Sequence, residues 1–110
     1  VGFVFNKYDP FVGIDFDKDD EEVRHWLKRA HVLGAYIERS VSGRGWHVIG
    51  TGKLERNLNL SRKAGIELYH DRRFFIVTGK ISDKKKAVGN PKADIQPLID
   101  EILTRYSSEI

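Results

Sequence analysis

The chain has 110 residues, 40% hydrophobic and 32% charged, with a formal net charge of +3. That is the size and make-up of one soluble folded domain, and it excludes a multidomain enzyme and a disordered chain. The absence of cysteine removes disulfides, thiol nucleophiles and Cys-ligated zinc, and with no apolar run near the roughly 20 residues of a membrane helix and no signal peptide, the chain reads as cytoplasmic, without a membrane partner.

In chain order, Val1 to Phe5 reads as a strand and Lys7-Tyr8-Asp9-Pro10 as a turn, because proline presets turn backbone and aspartate favours its start. Phe11 to Phe16 returns as a second strand, the hairpin partner of the first. Asp19 or Asp20 caps a helix with apolar residues at Val23, Trp26, Leu27, Ala30 and Leu33, and Gly34 stops it; the spacing marks one buried stripe. Strands follow at about 35–41 and 46–50, joined by the turn Ser42-Gly43-Arg44-Gly45. Residues 51–64 are polar and unpatterned, a loop. Gly65 to Tyr69 and Arg73 to Thr78 read as another hairpin. Asp94 caps a last helix carrying Ile95, Leu98, Ile99, Ile102, Leu103 and Tyr106, with Pro97 in its first turn, where the missing N–H is no loss. Strand, strand, helix, four strands, helix is an α+β layer architecture: a largely antiparallel sheet with two helices on one face. Residues 1–110 form one domain. The lack of any methionine, position one included, and a start inside an apolar run suggest a piece of a larger protein.

Charge is distributed unevenly. Val1 to Glu22 holds seven acids against Lys7 and Lys18, whereas Lys53 to Lys92 holds eleven basic residues against four acids. An acidic focus suits divalent cations and a basic flank suits a polyanion; the plain alternative for Lys84, Lys85 and Lys86 is a solvated loop.

Three segments carry chemistry. In Gly13-Ile14-Asp15-Phe16-Asp17 strand alternation puts Asp15 and Asp17 on one face, with Ile14 and Phe16 turned to the core. Neighbouring carboxylates repel, and a divalent cation such as Mg²⁺, which takes one or two carboxylates plus substrate phosphates, relieves them; the alternative is a strand end with Asp17 starting a turn. In Ser40-Val41-Ser42-Gly43-Arg44-Gly45-Trp46-His47 small residues allow backbone N–H groups to converge on an anion, and hydroxyls and an arginine add donors. His47 then donates to a phosphate or moves a proton; the alternative is an ordinary hairpin with a half-buried histidine. In Gly65-Ile66-Glu67-Leu68-Tyr69, if Ile66 and Leu68 face the core, Glu67 shares the open side with the aspartates. Three such acids beside a phosphate-type turn form a two-metal phosphoryl-transfer layout.

Taken together, Gly13 to Asp17, Ser42 to His47, and Ile66-Glu67-Leu68-Tyr69 followed by Arg73-Phe74-Phe75-Ile76-Val77-Thr78-Gly79 resemble, in that order, the three motifs of the archaeo-eukaryotic primase superfamily. Within it they look most like the phage- and plasmid-type primase-polymerase catalytic domains. The resemblance covers about residues 1–80 and implies an RRM-like sheet that polymerises nucleotides on a single-stranded or primed nucleic-acid template, with NTPs or dNTPs as substrates. It implies that Asp15, Asp17 and Glu67 are catalytic and bind Mg²⁺ or Mn²⁺, and that His47 contacts the nucleotide's phosphates. Ser40, Ser42, Arg73 and Lys53 are further phosphate-contact candidates. Arg72, Lys84, Lys85 and Lys86 are candidates for following the template backbone. Members often carry a zinc element or a helicase domain; the first is excluded by composition, and a helicase or accessory domain is a partner expected on the parent protein. The expected home is a prokaryotic cell, with the gene cellular or carried by a phage or plasmid. Two other classes fit less well. One is a non-catalytic single-stranded nucleic-acid-binding RRM-like module, which would present aromatics rather than acids. The other is a metal-dependent replication nuclease, which would need a His-x-His pair and a tyrosine nucleophile, and no His-x-His is present.

Overall fold

A computed structural model describes residues 2–6, 8–40, 43–60, 64–71, 73–76, 80–82, 85–86 and 88–109, and the side chains of these except at 2–4, 73–76, 80–82, 85–86 and 109. The chain folds as α+β around a five-stranded antiparallel sheet of order β3-β4-β2-β6-β5. Its strands are β2 (Phe11–Phe16), β3 (Tyr36–Arg39), β4 (Trp46–Thr51), β5 (Leu58–Leu60) and β6 (Ile66–Tyr69). Two further ribbons pair β1 (Gly2–Phe5) with β7 (Arg73–Ile76), and β8 (Lys80–Ser82) with β9 (Lys85–Lys86).

Helix α1 (Glu21–Val32) begins where Asp20 accepts a hydrogen bond from the Val23 amide at 2.9 Å, so the expected cap is the second of the two aspartates. Its buried stripe, Val23, Trp26 and Ala30, packs with Leu98, Ile99 and Ile102 of α2 (Gln96–Arg105) in the same cluster as Val12, Ile14 and Phe16 of β2. Both helices therefore cover one face of the sheet, and each of these large side chains contributes about 2 kcal/mol by leaving water. Arg29 clamps Glu101 across the helix pair at 2.9 and 3.1 Å, and this holds the Glu101 carboxyl below its ordinary value. Tyr106 ties the helices further: it accepts from the Trp26 indole at 3.2 Å and donates to Glu22 in a short hydrogen bond.

Several expectations are corrected. Phe11–Phe16 is no hairpin partner of the first strand, because β2 sits at the centre of the sheet with both edges occupied by β4 and β6; β1 pairs instead with β7, Phe5 opposite Arg73. The 65–78 hairpin does not form for the same reason, since β6 lies between β2 and β5. The loop expected over 51–64 contains β5, whose Leu58 and Leu60 pair with Leu68 and Ile66. Asp94 does not cap α2. It still bridges Thr51 in the sheet, and the Ile95 amide bonds the Thr51 carbonyl. The N-cap is therefore Ile95, without a side-chain bond, and Asp94 accepts from the Gln96 amide. The first ribbon closes over the other face of the sheet, where Phe5 joins Ile49 and Tyr69 in a second apolar cluster, flanked by Phe11 and Tyr36.

The Tyr106 hydroxyl is pushed up to about 12, first by burial and then by its bond to Glu22. The folded value lies above the ordinary phenol value of about 10. This group's contribution to stability is therefore complete below pH about 10 and is lost as pH rises through about 12. In a tyrosinate absorbance titration of the folded chain, Tyr106 ionises late, near pH 12. Tyr106→Phe should remove that late component; a titration unchanged by the substitution contradicts the assignment.

Candidate active site

Residues directly opposite one another in an antiparallel sheet point to the same face. Asp15 is opposite His47 on β4 and opposite Glu67 on β6; His47 is in turn opposite Glu38 on β3, and Glu67 opposite Asn59 on β5. Glu38, His47, Asp15, Glu67 and Asn59 thus form one row running across all five strands. The row lies on the face away from the helices, since Ile14, Phe16, Val48 and Leu68 of the alternate positions belong to the helix-side core. The row next to it, Tyr36, Ile49, Gly13 and Tyr69, includes most of the apolar cluster under Phe5. One half of this face is therefore covered and apolar, the other half polar.

The His47 imidazole stands between two carboxylates, Nε2 at 3.5 Å from Asp15 Oδ1 and Nδ1 at 3.5 Å from Glu38 Oε1. Glu38 is fully buried and His47 nearly so, while the Asp15 side chain keeps 20% of its exposure. Asp15 and Glu67, held opposite each other by the ladder, have Cβ atoms about 5 Å apart. Like charges in that relation are destabilising. Asp17 lies just beyond β2 and is exposed, and its amide continues the pairing with a 2.9 Å bond to the Gly65 carbonyl. Gly65 has φ +69°, and a β-carbon there would overlap the Asp17 carboxylate, so glycine lets that carboxylate lie against the β6 end of the row. Among the described residues, no three His, Asp or Glu side chains already converge closely enough to hold a metal ion.

The glycine turn packs against the acidic motif. A β-carbon on Gly45 would overlap the Phe16 carbonyl, so this glycine brings the turn onto the end of β2. Two of its amides bond within the turn: the Gly43 amide to the Ser40 carbonyl at 2.9 Å, and the Gly45 amide to Ser40 Oγ at 3.2 Å. Ser40 thus closes the turn through its carbonyl and its hydroxyl. Beside it, on the helix side, Arg39 stacks on Trp46 at 4.2 Å and bonds Asp19 at 3.0 Å. That arginine, with Arg24, holds the Asp19 carboxyl below its ordinary value.

The structure brings Asp15, His47 and Glu67 together, leaves Asp17 one residue past the end of β2 and puts Ser40 two residues beyond Glu38. It does not bring Lys53 to them. Lys53 follows the far end of β4, where its backbone pairs with the Gln96 side chain, and Thr51 alone is about 13 Å along the strand from His47. A cleft of about 570 Å³ between that segment and α2 shares no residue with the row. Ser42, Arg72 and Lys84 lie outside the described residues. Arg73, Lys85 and Lys86 are placed on β7 and β9 by backbone only. Sequence reasoning missed Glu38 and Asn59. Counting back from the Ser40–Gly45 turn puts Glu38 opposite His47, so hairpin register was the signal available for Glu38.

No family model matches the sequence. The chain is 36% identical over 92 residues to a DNA primase-polymerase of Nitratiruptor phage NrS-1, a match that takes in 76% of this chain and 13% of that protein. This supports a primase-polymerase relationship. The chain spans well under two thirds of the relative's length. No helix among the described residues is long and apolar enough to cross a membrane.

Gly65→Ala places an L-residue in left-handed backbone and forces the Asp17 carboxylate aside. It should destabilise the chain by about 2 kcal/mol, measured as a lowered denaturant midpoint; an unchanged midpoint would show that the carboxylate does not rest on this glycine.

Proposed function

We propose that the chain is the catalytic core of a template-directed nucleotidyltransferase, a DNA primase or polymerase that joins nucleotides from NTPs or dNTPs and releases pyrophosphate. The observation that carries this reading is the position of Asp15 in the ladder, directly between His47 and Glu67. The similarity to the phage protein supports the same reading.

In this reading Asp15, Asp17 and Glu67 hold Mg²⁺ or Mn²⁺. Carboxylate oxygens are the hard donors those ions take, and acids fixed opposite one another by backbone register are costly without a cation between them. Support for the pairing of two of these acids comes from the register, which sets Asp15 directly opposite Glu67. When bound, the metal supplies charge neutralisation at the triphosphate and a lowered pKa for the attacking hydroxyl. His47 grips the nucleotide's phosphates at the edge of the acidic row, aided by Ser40, Ser42 and Arg73. The rigid ladder orients these groups before substrate arrives, so most of the acceleration comes from positioning and fixed electrostatics. Arg72, Lys84, Lys85 and Lys86 follow the template backbone, which makes binding salt-sensitive and tolerant of sequence. A helicase or accessory domain on the parent protein would supply the template.

The test is incubation of the chain with Mg²⁺ or Mn²⁺, labelled NTPs or dNTPs, and single-stranded or primed template. Extension products are expected, falling about a hundredfold or more in Asp15→Ala and Glu67→Ala and vanishing with a chelator. His47→Ala should weaken mainly the apparent affinity for nucleotide. Template binding without products, unchanged in the acid variants, would identify a binding module instead, and strand cleavage would identify a nuclease.

A further inference from the structure

Glu38 is a member of the polar row with no part in that chemistry. Glu38 has 0% exposure, and a carboxylate taken fully out of water is retained at a cost that a leucine of similar volume would avoid. Both of its oxygens are directed. Oε2 accepts a hydrogen bond from the Tyr36 hydroxyl at 3.1 Å, from the same face of the same strand, and Oε1 lies 3.5 Å from His47 Nδ1. On the far side of the ring, Nε2 faces Asp15.

We infer that Glu38 is a positioning residue: anchored by Tyr36, it fixes the His47 ring so that Nδ1 is turned inward and Nε2 is presented to the nucleotide's phosphates beside Asp15. The inference rests on the assignment of His47 to the phosphates. Strand register fixes the His47 backbone but not the rotation of its ring, and an imidazole's presented nitrogen is set by the hydrogen bond that the other nitrogen makes. Glu38 Oε1, on the adjacent strand 3.5 Å from Nδ1, is the carboxylate placed to become that partner. Tyr36 in turn keeps the carboxylate from turning away.

The experiment uses Glu38→Leu, His47→Ala and the double variant in the 110-residue chain. Glu38→Leu should raise the nucleotide KM about tenfold, the scale on which partners of this kind act, with kcat less affected. Its thermal midpoint should fall as well, because removing one member of a buried polar cluster leaves the Tyr36 hydroxyl and His47 Nδ1 without their carboxylate, so KM rather than the midpoint decides. In the His47→Ala background the same substitution should have no further effect on KM. A fall in the midpoint with KM unchanged, or effects of the two substitutions that multiply, overturns the inference. If the leucine variant fails to fold, Tyr36→Phe removes the carboxylate's anchor alone and must still raise KM; a wild-type KM there overturns it equally. Should the wild-type chain extend no primer, the functional reading fails, and long-range proton–nitrogen NMR of the His47 ring decides the Glu38 role separately. The Nδ1 proton signal should be lost or exchange-broadened in Glu38→Leu, and an unaltered ring spectrum overturns the role.

Discussion

Antiparallel pairing on both sides of β2 is the constraint on which the rest depends. A central strand cannot shift by one residue without turning Ile14 and Phe16 out of the core and Asp15 into it. The apolar alternation of β2 and the acidic row are therefore two readings of one register. Burial of Ile14, Phe16, Val48 and Leu68 beneath the helices fixes the face on which Asp15, His47 and Glu67 appear. Helices α1 and α2 act on the site only through that core: they hold the sheet from behind and contribute no residue to the row.

The polar half of the open face runs against the ordinary logic of stability. It sets one acid opposite another and buries a carboxylate, while the neighbouring row is capped by Phe5 from the first ribbon. Arrangements of this kind are tolerated where the surrounding structure over-determines them, and here a five-stranded ladder with an apolar core on its reverse does so. The Arg29–Glu101 clamp and the Tyr106 bonds lie on the opposite side of the molecule and serve helix docking alone.

Much of this was legible in the sequence because the signals were local. The helix stripe of Val23, Trp26 and Ala30 has the period of its own element. Asp15 and Glu67 each sit between core residues, which settles their face once the strands are known. Pairing partners were less legible. Nothing local to Phe11–Phe16 says that both of its edges are taken by β4 and β6, and three residues of β5 are too few to show alternation. The start of α2 slipped by one residue because a backbone bridge between Asp94 and Thr51, distant in the chain, outweighed a local capping preference. Glu38 went unnoticed because a lone acid on a strand reads as solvated until its opposite number is identified.

The flank of β3 has a consequence for how copies of the chain meet. Ile37 exchanges both of its backbone bonds with Val88, and Ala35 bridges Asn90, so the outer side of that strand is already occupied where another chain would dock. At the opposite flank β5 offers a stretch of only three residues. With one border covered at Ala35 and Ile37 and the other only three residues long, this five-stranded sheet is a poor template for strand addition by a second copy.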